Sequence, residues 1–160
     1  MSNNLNDLDF STRKYDGWQQ AEKSITFNGA VSGAIGDIDK ANNPFDIFTV
    51  TGDVKVKIVG ICTTTLSGSS ATVEVGVSGA TAAIIAQTTV SGADTITKNE
   101  IWHDVDPDTE IELATVMTEK IIANGLDVIG VVASANIDNG VIRFNCLWRP
   151  LSVDGKIVAA

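Results

Sequence analysis

Val54-Lys55-Val56-Lys57-Ile58-Val59-Gly60-Ile61-Cys62 is the stretch that sets the fold class. In an extended backbone successive side chains point to opposite faces. Val54, Val56, Ile58 and Cys62 therefore share one face, and Lys55 and Lys57 share the other. That is a strand with an apolar side and a solvated side. Gly52-Asp53 precedes it as a turn and stops an earlier strand, Phe45–Thr51.

The same texture extends in both directions. Ala71–Val77 alternates, with Val73, Val75 and Val77 inward and Glu74 outward, and Ser78-Gly79 follows as a turn. Ala80–Thr89 reads as a strand, although its Ala82-Ala83 pair leaves a short helix open. Thr63–Ser70 reads as a Ser/Thr/Gly turn, and Lys120–Ala123 as a short β piece. Asn124-Gly125 is the strongest two-residue hairpin signal and links that piece to Asp127–Ser134. Val141–Trp148 alternates through Ile142, Phe144, Cys146 and Trp148 before Pro150 ends the pairing. Nine or ten short β segments separated by turns, with no long amphipathic helix, predict an all-β, antiparallel β-sandwich, jelly-roll-like.

Residues Met1–Lys23 differ from the rest. They are polar and charged, with isolated apolar residues, and the expectation is an extended N-terminal arm followed by a β-sandwich domain over 24–160. Leu8, Phe10, Tyr15 and Trp18 are the candidate contact residues of that arm, because a merely solvated tail carries fewer aromatics.

Composition narrows the function. The net charge is −9 and the eleven Lys and Arg are scattered, which argues against nucleic acid and anionic membrane as partners. A chain of 160 residues can bury a core without a metal or a disulfide. Cys62 and Cys146 lie in strand-like runs and read as buried, reduced thiols. No apolar run reaches membrane-span length, and the polar N-terminus has no apolar signal core, which reads as a chain that is not a secreted precursor.

Catalytic patterns are missing. His103, within Ile101-Trp102-His103-Asp104, is the single histidine and reads as a strand-end residue held by Trp102. There is no Gly-x-Ser-x-Gly elbow, no Gly-Lys-Ser/Thr phosphate loop and no dinucleotide fingerprint. Asp104, Asp106 and Asp108 form a weak calcium candidate. The run lacks the Gly and Glu of a helix–loop–helix calcium loop, and Asp-rich turns also cap their own backbone. The expectation is a protein that is not an enzyme and needs no cofactor or metal. Trp18, Trp102 and Trp148 could form a sugar platform, but Trp148 alternates with core residues.

The stretch Pro44–Cys62, the sequence Ile101-Trp102-His103-Asp104 and the ending Cys146–Gly155 together resemble small β-rich virion proteins of tailed bacteriophages, encoded among head and structural genes. The resemblance covers Phe45 to the C-terminus. It implies a capsid decoration (cement) protein on the virion surface, made in the host cytoplasm, that oligomerises on the major capsid protein and strengthens the shell. A trimer follows from the same resemblance, since local threefold points are common docking sites. The alternative is a carbohydrate- or receptor-binding module of a phage tail, which exposed, coplanar tryptophans would mark. A hydrolase using His103 and the neighbouring carboxylates is a third reading.

Overall fold

The computed structural model describes residues 17–39, 43–91, 96–103, 107–108, 111 and 117–160. Eleven strands occur there: β1 (Gln19–Phe27), β2 (Phe45–Thr51), β3 (Val54–Ser67), β4 (Thr72–Val77), β5 (Ala80–Thr89), β6 (Ile101–Trp102), β7 (Pro107–Asp108), β8 (Lys120–Ile122), β9 (Val128–Ala133), β10 (Asn139–Pro150) and β11 (Lys156–Ala159). No helix occurs among the described residues, so none is long and apolar enough to cross a membrane.

The strands form two antiparallel sheets, and the chain is an all-β sandwich. One sheet has the order β1-β10-β3-β6-β7, with β8 also on β3; the other has the order β11-β2-β9-β4-β5. The chain doubles back at Ser78-Gly79, between β4 and β5. The returning half then retraces the outgoing half: β5 on β4, β6 and β8 on β3, β9 on β2, β10 on β1.

β3 and β10 are long interior strands of the first sheet, as their alternation predicts. Cys146 faces Ile58 and Trp148 faces Val56 in the register, and every one of these side chains is buried. Gly60 sits opposite both Phe144 and Trp102. A Cβ there would come within 2.9 Å of Ile142 and 3.3 Å of both rings, so only glycine leaves room for them. Trp102 and Phe144 pack tilted with centroids 6.1 Å apart, and the Trp102 indole N–H donates to the Thr88 hydroxyl at 2.9 Å, joining the two sheets. Phe27 and Phe45 pack edge to face at 5.6 Å.

Three expectations change. The arm does not extend to Lys23: Gln19–Lys23 pairs with Phe144–Trp148 of its own chain. The inward residues there, Gln19, Ala21 and Lys23, are only half-buried, so the strand shows no apolar stripe in sequence. The Lys23 ammonium donates to the Ala160 carbonyl and helps close that edge of the sandwich. Thr63–Ser67 is not a turn but the end of β3, its Thr residues facing water and Leu66 buried. Asn124-Gly125 has positive φ at both positions, as such a turn requires, but joins no hairpin. β8 belongs to one sheet and β9 to the other, so the turn crosses between them.

Replacing Ile58 or Phe144 by Ala removes a fully packed side chain, and each change is expected to cost about 2–5 kcal/mol of unfolding free energy. Urea denaturation checks this; unchanged midpoints for both variants would contradict the packing described.

Candidate functional site

Three crossing turns meet at one end of the sandwich, and Asp53 holds them together. Its carbonyl accepts the Leu151 and Ser152 N–H groups at 2.8 and 3.2 Å. Its own N–H donates to the Ser152 hydroxyl at 2.8 Å, and its carboxylate accepts the Asn124 N–H at 2.9 Å. Gly125 N–H donates to the Gly52 carbonyl at 3.0 Å, and Val50 N–H to the Asp127 carboxylate at 2.8 Å. The Ser152 hydroxyl donates to Asp154 at 2.6 Å and, as the main cause, holds that carboxyl below its ordinary pKa.

These braced turns present apolar side chains to water. Leu126, Leu151 and Val153 are exposed on them, and Ile121 is exposed on the adjoining β8. Surface turns are ordinarily polar, so these exposed aliphatics make this end the candidate site of the described residues. Beside it lies a cleft of about 450 Å³ lined by Gln19, Trp148, Pro150, Val153 and Lys156, among others. The N-terminal segment joins the fold at the same end, where Gln19 opposes Trp148.

Trp18 is where the structure places the described part of the expected arm. Its ring lies 4.8 Å from the Arg149 guanidinium carbon and 5.4 Å from the Lys57 ammonium, on the outer face of the first sheet. That face also carries Lys55, opposite Arg149, and Arg143 near Glu22. Glu119 pairs with Lys55 at 3.0 Å and Lys57 at 3.6 Å, and the Lys55 hydrogen bond is the first cause of its lowered pKa. Trp18 therefore rests on its own chain. Leu8, Phe10 and Tyr15 lie outside the described residues.

The reactive side chains are interior. His103 is buried directly after Trp102. Asp104 and Asp106 lie outside the described residues, and Asp108 falls in β7, opposite Ile101. Among the described residues no three His, Cys, Asp or Glu side chains gather to hold a metal. Burial pushes the Cys62 thiol up to about 11 and the Cys146 thiol up to about 12. Cys146 opposes Ile58, four residues from Cys62 on β3. That is about 13 Å along a strand, beyond the ~7 Å limit between the Cα atoms of a disulfide. Trp102 and Trp148 are interior as well, so the three tryptophans do not form an exposed platform.

The order of the turns was hidden in the sequence. Asp53, Asn124 and Ser152 are separated by long stretches of chain, and only the crossing topology brings them together. The local signals were the turn residues and the apolar Leu126, Leu151 and Val153 beside them. No protein-family model, curated protein or solved structure matches this chain.

Asp53→Ala should cost about 1 kcal/mol, since it removes one side-chain acceptor while the backbone bonds stay. Chemical denaturation measures it. The two thiols generate a pH effect with a definite sign. Their folded pKa values of about 11 and about 12 lie above the ordinary 9.0, so the folded state keeps protons that the unfolded chain gives up. That stabilisation is complete below pH 9 or so and is lost as pH rises through the folded values. The urea midpoint should fall between about pH 8 and about pH 10.5, and fall less in a Cys62→Ala/Cys146→Ala variant.

Proposed function

We propose that the chain is a non-enzymatic structural subunit of a virion, a capsid decoration protein that self-associates, as a trimer, on the major capsid protein of a tailed-phage head and stabilises the shell. The observation that carries this reading is the braced end of the sandwich, with Leu126, Leu151 and Val153 exposed on turns that Asp53 and Asp127 hold in place. A surface already rigid loses little conformational freedom on docking, so its apolar contacts count almost fully toward affinity. The net charge of −9 favours a partner with basic groups at the contact.

The strand order adds support. We read a ribbon that doubles back once and wraps into sheets β1-β10-β3-β6 and β2-β9-β4-β5 as a jelly roll, an architecture common to capsid and lectin domains. Fold by itself does not assign function, so the weight falls on the surface. A lectin-like role would use exposed aromatic planes, whereas Trp102 and Trp148 serve the core. His103, Cys62 and Cys146 likewise serve packing.

The test is co-sedimentation of the purified full chain with phage shells that lack this protein. The wild-type chain should pellet with the shells, and a Leu151→Asp/Val153→Asp variant should stay in the supernatant. Both positions are exposed, so the variant's melting curve should match the wild type within about 0.5 kcal/mol. Equal pelleting of the two proteins would reject the braced end as the docking surface, and no pelleting of either would reject the decoration role.

A further inference from the structure

We propose that the cleft beside Trp148 receives the N-terminal segment of a second copy of the chain, with Leu8 and Phe10 against its apolar wall and Asp7 and Asp9 toward Lys156. The proposal deepens the self-association reading above and does not depend on the shell.

The cleft has an unmet need. Trp148 is 6% exposed and forms part of the lining, and its indole N–H has no hydrogen-bond partner among the described residues. A buried donor without an acceptor costs free energy, and because the nitrogen itself is closed off, an extended peptide would pair with it through a local rearrangement of the cleft wall, supplying a carbonyl or a carboxylate. Lys156 brings a cation to the lining and has no ion pair among the described residues. Asp154, also on the rim, already accepts the Ser152 hydroxyl. Val153, fully exposed, and Pro150 complete an apolar side. The volume of about 450 Å³ is that of a ligand-holding cleft.

The occupant follows from charge and from where the fold begins. Met1–Thr12 contains Asp7 and Asp9 and no Lys or Arg. Asp7-Leu8-Asp9-Phe10 alternates, so an extended backbone would turn Leu8 and Phe10 to one side and both carboxylates to the other. Sixteen residues precede the first described position. Trp18 is held on the outer face of the first sheet by Arg149 and Lys57, while the cleft is lined by Gln19 and Trp148, which alternate to the inner side. The described chain thus enters the fold with Trp18 on the face opposite its own cleft, which favours a neighbour's cleft as the acceptor. A segment of one copy in the cleft of the next is a heterologous contact, the kind that closes into rings such as a trimer.

Sedimentation velocity of full-length protein at micromolar concentration tests this with charge reversal. Lys156→Glu alone and Asp7→Lys/Asp9→Lys alone should each weaken self-association by roughly tenfold or more. At a concentration where the wild type is dissociated, Lys156→Glu should melt as the wild type does, because Lys156 is exposed. A single chain carrying all three substitutions, Asp7→Lys/Asp9→Lys/Lys156→Glu, should recover assembly, since every cleft of the ring then meets an oppositely charged segment. Variants that assemble like the wild type would overturn the proposal, as would a triple variant that fails to recover. A wild-type chain that stays monomeric would also overturn it, while leaving the decoration role to be judged by shell co-sedimentation.

Discussion

Val54, Val56, Ile58 and Cys62 meet Ile142, Phe144, Cys146 and Trp148 across the β3–β10 ladder, and this register constrains everything else. Side chains alternate with a period of two, so a one-residue slip of either strand would turn its own cations, Lys55 and Lys57 or Arg143 and Arg149, into the core. With that ladder in place, β1 adds to the free side of β10, and β6 and β8 add to β3. The space opposite Gly60 then takes Trp102, whose indole reaches Thr88 on the other sheet.

The second requirement is to cross between sheets without leaving backbone groups unpaired. Gly52-Asp53 carries the chain from β2 to β3, Asn124-Gly125 from β8 to β9, and Leu151–Gly155 from β10 to β11. Asp53 serves all three with its N–H, carbonyl and carboxylate. The bracing has a functional consequence. Polar groups at this end are spent on one another, and the aliphatics beside them are left facing water, which is why we propose this end as the docking surface. At the same end Trp18 lies against Arg149 and Lys57 on the outer face of the first sheet. Side chains that would carry chemistry elsewhere, namely His103 and the two thiols, are inside the sandwich, where burial suppresses thiolate formation.

The sequence made some of this visible. The alternation of Val54–Cys62 and Val141–Trp148 identified the two long interior strands, and Trp148 was recognisable as core from its place after Ile142, Phe144 and Cys146. The candidate surface was visible only as scattered parts. Leu126, Leu151 and Val153 stand near turn residues in sequence, but their convergence depends on Asp53 reaching Asn124 and Ser152.

Strand identity and inward face of Val54–Cys62 and Val141–Trp148 were determined by the sequence alone, because the two-residue period is a local steric property of extended backbone. The turn at Asn124-Gly125 was determined in the same way, since both residues tolerate positive φ wherever they occur, whereas the expected turn from Thr63 is strand as far as Ser67. The partner of each strand was not. Asn124-Gly125 has the local geometry of a hairpin turn yet sends its flanks to different sheets, and Gln19–Lys23 has no apolar stripe yet pairs with β10. In both cases the outcome rests on which distant strand offers free backbone groups and an uncovered apolar face. That is a property of the assembled sandwich, and it came into being only when the chain doubled back on itself.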